Sequence, residues 1–485
     1  MIGPGATSLI ALEGNYKGTP THPVFPLDGI EKAFGADSGV YAQGAPYANG
    51  IALPVPRTAF SGGLHAEFFN GTGFEGTPVA TRDDRQIDFD WNAVSPATGV
   101  DPNRFSVRWT GFIQVPAAGD YSFQIDDRRC DPSDDHEAYR VRIDGAPEFQ
   151  ASSTCTDFGQ PRKTMKVHFS GKEKRGFVLE YTHESPRFSA GITFSWQAPG
   201  DVLLEEARQK ANGAGVIIAC VGLIPWLEGE EMPLRIPGFE GGDRSNLTLP
   251  VSQTRLLREL EATGKPVVVV LQSGSSVSLE GLASSAAAIL ESWYGGEYGG
   301  QALGEVLHGD VNPSGHLPVT FYQSASQLPS FVDYSMKGRT YRYFEGKPDY
   351  PFGYGLSYTT FAYSGLKLGR AHLKAGIPQT LTVRVKNTGK LAGDSVVELY
   401  LSASQVTAPP RPSLRGFTRV HLDPGESKAV SFKLDERELA FADDDGTQRI
   451  HAGEYTVWIG GGQPSTNAEG LSGTFTVSGE KSLQP

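Results

Sequence analysis

The sequence predicts a multidomain fold that combines α/β and all-β parts. A mostly parallel sheet with helices is interrupted by a β-sandwich or barrel module and followed by a second β-sandwich. Three observations carry this expectation. The chain has 485 residues, which at about 150 residues per domain suggests roughly three domains. Continuous apolar runs alternate with helical stretches between about 199 and 365. Period-two alternation fills the stretches on either side, from about 61 to 198 and after about 366, as strands with one buried face require.

Residues 1 to about 60 are loop-rich, with Gly14-Asn15-Tyr16-Lys17-Gly18-Thr19-Pro20 and a short helical stretch near Leu27 to Phe34. In the alternating region that follows, strands are expected over Phe105–Trp109, Tyr121–Ile125 and Tyr139–Ile143, the last before the turn pair Asp144-Gly145. Next come a helix over Val202–Asn212 with Gly213 as its stop, and a strand over Val216–Val221 that is apolar on both faces. A helix over Ser252–Thr263, a second buried strand over Pro266–Leu271, a third over Ala287–Trp293 and a helix over Gly299–Leu307 complete the pattern. Strand and helix in alternation predict right-handed crossovers on a parallel sheet. Strands at Leu381–Lys386, Val396–Leu401, Lys428–Leu434 and Glu454–Ile459 predict a final antiparallel sandwich.

Composition narrows the function. Lys plus Arg is 43 against 55 for Asp plus Glu, a formal charge of −12. That balance disfavours nucleic acid or an anionic membrane surface as partner, because both need clustered cations. The longest apolar stretch, Gly215 to Leu227, is too short and interrupted to span a bilayer. Three cysteines rule out a disulfide scaffold; Cys130 and Cys155 have a spacing that allows a pair, and Cys220 sits in an apolar run. The ten histidines are scattered without metal-ligand spacing, so no metal or other cofactor is expected.

Chemistry is expected at the carboxyl end of the first parallel strand, where open α/β sheets bind their ligands. The long segment from Leu223 to Arg244 starts there and carries five carboxylates, with Trp226 and Arg244. An acid beside an aromatic ring suits a carbohydrate: the acid serves an oxygen, and the ring packs on a sugar's C–H face. The bland alternative is a solvated acidic loop on an acidic protein. Gly295-Gly296 and Gly299-Gly300 lack a phosphate-loop ending and read as tight packing.

At these residues the chain resembles family 3 glycoside hydrolases, the β-glucosidases and β-xylosidases. Leu227-Glu228-Gly229-Glu230-Glu231-Met232 and Gly241-Gly242-Asp243-Arg244 through Pro250 resemble that family's sugar-site segment. Ile2-Gly3-Pro4, Gly309 to Pro318, Arg339 to Phe344 and Pro351 to Tyr358 are similar to other parts of its α/β sandwich domain. Arg415-Gly416-Phe417 and Asp423 to Glu426 resemble its fibronectin type III-like domain. Residues 61 to 198 resemble the protective-antigen-type sugar-binding module (PA14-like) that some members insert, through Ser106 to Gly111, Gly119 to Phe123 and Ile143-Asp144-Gly145.

The resemblance implies a retaining glycosidase with an Asp nucleophile on a preceding (β/α)8 barrel and a Glu acid/base on the α/β sandwich. Counting from Gly222-Leu223, the acid/base position is Glu228, with Glu230 and Glu231 as rivals. Trp226, Asp243 and Arg244 are the expected substrate-side residues, the last two shaping the loop as a charge-assisted pair. No barrel is seen in the sequence, so the nucleophile is not assigned, and a chain lacking it is expected to turn over little substrate alone. Expected partners are therefore a β-linked oligosaccharide or aryl glycoside and a barrel domain or chain. Secretion or a periplasmic location is implied by family habit. The alternative is a non-catalytic carbohydrate-binding protein built on the inserted module. Asp126-Asp127 resemble the paired aspartates by which relatives of that module hold calcium, although a structural role is the favoured reading.

Overall fold

The computed structural model describes every residue except 37, 93, 128–136, 153–162, 186–189, 230, 233, 280, 282–283, 407–408 and 485, together with the side chains of 127 and 152. Cys130, Cys155, Asp134, Asp135, His136 and Glu230 thus lie outside the described residues. The chain divides into two compact units: residues 1–275 with 279–308, and residues 276–278 with 309–485.

The first unit is organised around three parallel strands, Ile217–Gly222, Val267–Gln272 and Ala288–Glu291, in that spatial order. Their registers pair Cys220 with Val270 and Val270 with Leu290. Ile2 adds a one-residue parallel bridge at the outer edge, accepting the Cys220 N–H and donating to the Ile218 carbonyl, both at 2.8 Å. Cys220 is fully buried.

Four helices support the sheet: α1 (Pro26–Phe34), α2 (Val202–Asn212), α3 (Val251–Glu261) and α4 (Gly299–His308). Each expected helix is present within a residue or two. Helix α2 buries Leu203, Leu204, Ala207 and Ala211, the spacing of one helical face. In α1 and α4, Gly29 and Gly304 let the two helices approach so closely that a β-carbon on either would strike the other helix, and one on Gly300 would strike the backbone of Val24 and Phe25 just ahead of α1. The packing role read for Gly300 in the sequence is therefore what the structure shows.

Between the first loops and α2 lies a pair of antiparallel sheets. Among the described residues one is built from Leu53–Pro54, Asp88–Asn92, Gly119–Asp127, Met165–Phe169 and Ala190–Gln197. The other is built from Phe60–Asn70, Ala80–Asp84, Arg104–Ile113, Glu137–Ile143, Phe149–Ser152 and Arg175–Glu184. Alternate residues of these strands bury a largely aromatic core: Phe105, Trp109, Phe123, Phe177, Tyr181, Phe194 and Trp196. The strand Leu53–Pro54 already pairs with Ala190–Gln197, so the first sheet begins ahead of residue 61.

The second unit contains a sandwich of Phe361–Leu368, Gln379–Asn387 and Ser427–Leu434 against a five-stranded sheet that includes Gly393–Ala403 and Gly453–Gly460. Val383, Val385, Val397, Leu399, Val457 and Ile459 fill its core. The irregular stretch from Gly309 to about 360 belongs with this unit rather than with the parallel sheet. Its own content is a few turns and the short helix Thr340–Tyr343.

Candidate functional site

The carboxyl end of the first parallel strand is fixed by a residue from α3. Gln253 is fully buried; its Oε1 accepts the Gly222 N–H at 2.7 Å, and its Nε2 donates to the carbonyls of Gly222 (2.7 Å) and Tyr47 (2.8 Å). A β-carbon at Gly222 would run into the backbone of Gln272. Beyond this point the chain leaves the sheet and turns through Pro225–Leu227, with the Leu227 and Glu228 N–H groups donating to the Ile224 carbonyl.

Glu228 is partly buried and is met by three donors from the ends of the other two strands. Oε1 accepts the Gly274 N–H at 2.8 Å and the Tyr294 hydroxyl. Oε2 accepts the Ser275 hydroxyl at 2.7 Å, and Ser275 Oγ in turn accepts from Arg244 Nη1 at 2.8 Å. Gly274 has to be small: a β-carbon there would lie 2.9 Å from both Glu228 Oε1 and Tyr294 Cε2. Burial together with the Glu228 charge pushes the Tyr294 hydroxyl up from the ordinary tyrosine range. Burial pulls the Arg244 guanidinium down from the ordinary arginine range, with Glu228 and Tyr294 working the other way.

The remaining expected site residues divide. Arg244 turns inward to Ser275, while its neighbour Asp243 is exposed, as adjacent positions on the short strand Asp243–Arg244 must face opposite ways. Trp226 is partly buried in the turn ahead of Glu228. Glu231 is exposed with φ of 48°. The excursion around it closes on itself: the Met232 N–H donates to the Gly241 carbonyl at 2.9 Å, and Gly242 packs so tightly on the Gly229 carbonyl that only glycine fits.

Four participants were not singled out in the sequence: Gly274, Ser275, Tyr294 and Glu291. All follow or end a neighbouring parallel strand, so the rule that pointed to the loop carrying Glu228 would have pointed to their segments had it been applied to every strand. Glu291 ends the third strand, and its Oε1 accepts the Trp293 N–H at 3.1 Å. That contact closes a turn in which Trp293 has φ of 51°, so the strand stops two residues earlier than its apolar pattern suggested. Tyr294 packs against Gly14 and brings the first loop to the site. Lys17 there is held by Glu13 and, at 2.8 Å, by Asp90 of the inserted sheets, and Tyr16 is 91% exposed.

No group of three or more His, Cys, Asp or Glu among the described residues is placed to hold a metal ion. Asp126, in the inserted sheets, is buried and spent on Gln124 Nε2 and Ser195 Oγ, both at 2.7 Å. No helix among the described residues is long and apolar enough to cross a membrane.

The chain is 33% identical over 475 residues to a xylan 1,4-β-xylosidase of Xylanibacter ruminicola, covering 95% of this chain and 52% of that protein. It is 40% identical over 273 residues to a periplasmic β-glucosidase of Salmonella typhimurium, covering 53% of this chain and 34% of that one. The crystal structure of a Kluyveromyces marxianus β-glucosidase in complex with glucose superposes with a TM-score of 0.70 at 26% identity, over 99% of this chain and 58% of that one. The chain thus spans about half the length of its full-coverage relatives. Residues 395–463 match the fibronectin type III-like domain. Residues 1–358 match the glycosyl hydrolase family 3 C-terminal domain, and the chain belongs to that family.

Proposed function

We propose that this chain supplies the acid–base side of a retaining β-glycosidase that removes terminal β-linked glucosyl or xylosyl residues. Glu228 is assigned as the acid–base carboxyl, and the nucleophile comes from a (β/α)8 barrel domain or chain. The observation that supports this most is the placing of Glu228 at the carboxyl end of the parallel sheet, partly exposed and held by Gly274, Ser275 and Tyr294. A proton-transferring group must keep one position relative to the glycosidic oxygen, and three anchors restrict it to one. The β-glycosidase names of relatives that align along 95% of the chain agree with this reading.

In a retaining enzyme the nucleophile stands roughly 5–5.5 Å from the acid–base carboxyl. Glu228 first protonates the departing oxygen and then takes a proton from the water that releases the sugar from the nucleophile. Arg244 acts through Ser275, fixing the hydroxyl that orients Glu228. The inserted pair of sheets is assigned as a PA14-like, sugar-facing module bordering the leaving-group side. The protein works outside the cytoplasm, in keeping with its periplasmic relative.

The test is a set of Gln substitutions at Glu228, Glu230 and Glu231, with the complementary barrel present. Aryl β-glucosides and β-xylosides of good and poor leaving groups are compared. Loss of general acid should cut kcat/KM steeply for the poor leaving group while sparing kcat/KM for the good one, with release of the sugar slowed for both, at Glu228 alone. The same selective loss at Glu230 or Glu231 instead would move the assignment. Sugar binding without turnover in every preparation would favour a carbohydrate-binding protein.

A further inference from the structure

Glu291 has no part in the mechanism above, yet it sits at the same end of the sheet as Glu228. Its Oε1 accepts the Trp293 N–H at 3.1 Å. Its Oε2 is sealed from solvent and meets no hydrogen-bond partner among the described residues. An ionised oxygen in that position would lose its hydration with nothing in return, whereas a neutral carboxyl avoids most of that cost.

The charges around it point the same way. Glu228, reaching in from the loop after the first strand, is the charged group that bears on Glu291, and it has the same sign. The Arg244 guanidinium answers Glu228 and Tyr294. We propose that Glu291 is a positioning residue that stays neutral beside Glu228, so that in the step where Glu228 is a carboxylate one negative charge rather than two occupies the head of the sheet. Its ionisation then sets the alkaline limit of the loop that carries Glu228. Burial, with the charge on Glu228 adding to it and the Trp293 N–H pulling back, pushes this carboxyl up to about 8. Above that point an ionised Glu291 repels the carboxylate form of Glu228 and works against its hold on Gly274 and Ser275. This inference rests on Glu228 being the acid–base group, but its first test does not.

That first test is thermal unfolding of the wild-type chain and Glu291→Gln across pH. The folded value lies above the roughly 4.3 of a free glutamate. The group's contribution to stability is therefore complete below about 4.3 and drains away as pH rises to about 8. The Gln variant has no such slope, so its melting temperature should gain on wild type throughout that window and hold level above it. A carboxylic-acid carbonyl band in the wild-type infrared spectrum at neutral pH, missing in Glu291→Gln, should accompany this. Parallel melting profiles and no such band would overturn the proposal.

The second test is turnover with the barrel present. One pH unit above the midpoint about a tenth of wild-type molecules keep the proton. Relative to its own value near neutrality, Glu291→Gln should then be roughly ten-fold more active than wild type, with the acid limb unmoved. A role in packing alone would lower both limbs alike, and that result would overturn the positioning role even if the infrared band is present. If Glu228→Gln leaves turnover intact, the assignment of Glu228 fails while the thermal and infrared results still report on Glu291.

Discussion

Three buried aspartates of the inserted sheets and the acids at the head of the parallel sheet are built differently. Asp84, Asp88 and Asp126 are each no more than 9% exposed, and both oxygens of each are matched. Asp84 takes Arg82 Nε and the Trp109 indole N–H, both at 2.8 Å. Asp88 takes the Thr193 hydroxyl and the Leu9 N–H, again both at 2.8 Å, and Asp126 takes Gln124 and Ser195. At the parallel sheet Glu228 keeps partial exposure, and Glu291 has one oxygen that meets no hydrogen-bond partner among the described residues. A fully matched buried carboxylate holds strands together and has little left for chemistry. Incomplete matching at the head of the parallel sheet is what the proposed acid–base role of Glu228 calls for.

This contrast can be broken by substitution. The largest effect is expected at Glu228→Gln with the barrel present: turnover of a poor leaving group should fall ~10²–10⁴-fold, the range for general acid catalysis, with little change in melting temperature. Asp88→Ala should do the reverse. It leaves the Leu9 N–H and the Thr193 hydroxyl buried without acceptors, at ~1–3 kcal/mol each. Chemical denaturation should show a loss of about 3 kcal/mol, with catalysis per folded molecule unchanged. A catalytic loss at Asp88 matching that at Glu228 would dissolve the distinction.

Smaller changes sharpen it. Tyr294→Phe removes one donor from a carboxylate that keeps two, and about 1.5 kcal/mol should be lost, as for a hydrogen bond to a charged group. Leaving-group selectivity should shift in the direction of Glu228→Gln. The smallest effect is expected at Trp226→Ala, under about 1 kcal/mol in stability, as for a position away from the core. Its readout is KM for an aryl glycoside, which should rise as the sugar loses an aromatic face to pack on. An unchanged KM would remove Trp226 from the site.

Much of this was legible in the sequence because the signals are local. The apolar runs at Val216–Val221 and Pro266–Leu271 have no polar face, so only a sheet covered on both sides accommodates them. The loop that carries Glu228 followed from the strand before it, and Glu228 within that loop from the family resemblance. Its partners did not, because Gly274, Ser275 and Tyr294 come from segments 46 to 66 residues further along the chain, and no periodicity encodes which strand ends meet. The expected pairing of Asp243 with Arg244 treated adjacent residues as neighbours in space, whereas a strand sends them to opposite faces. Trp293 continues the apolar pattern of the third strand, and its left-handed backbone is set by Glu291 two residues earlier, a contact that propensity does not encode.

The closure of Gly242 on Gly229 has a consequence for how such a loop can evolve. The chain between them departs and returns at one point, so it is an appendage hung from a ring rather than part of the span that carries Glu228. Residues can be added or removed within it without moving the acid, as long as the two glycines still touch. Changes in length as well as in residue type can therefore be taken up there while Glu228 keeps its place.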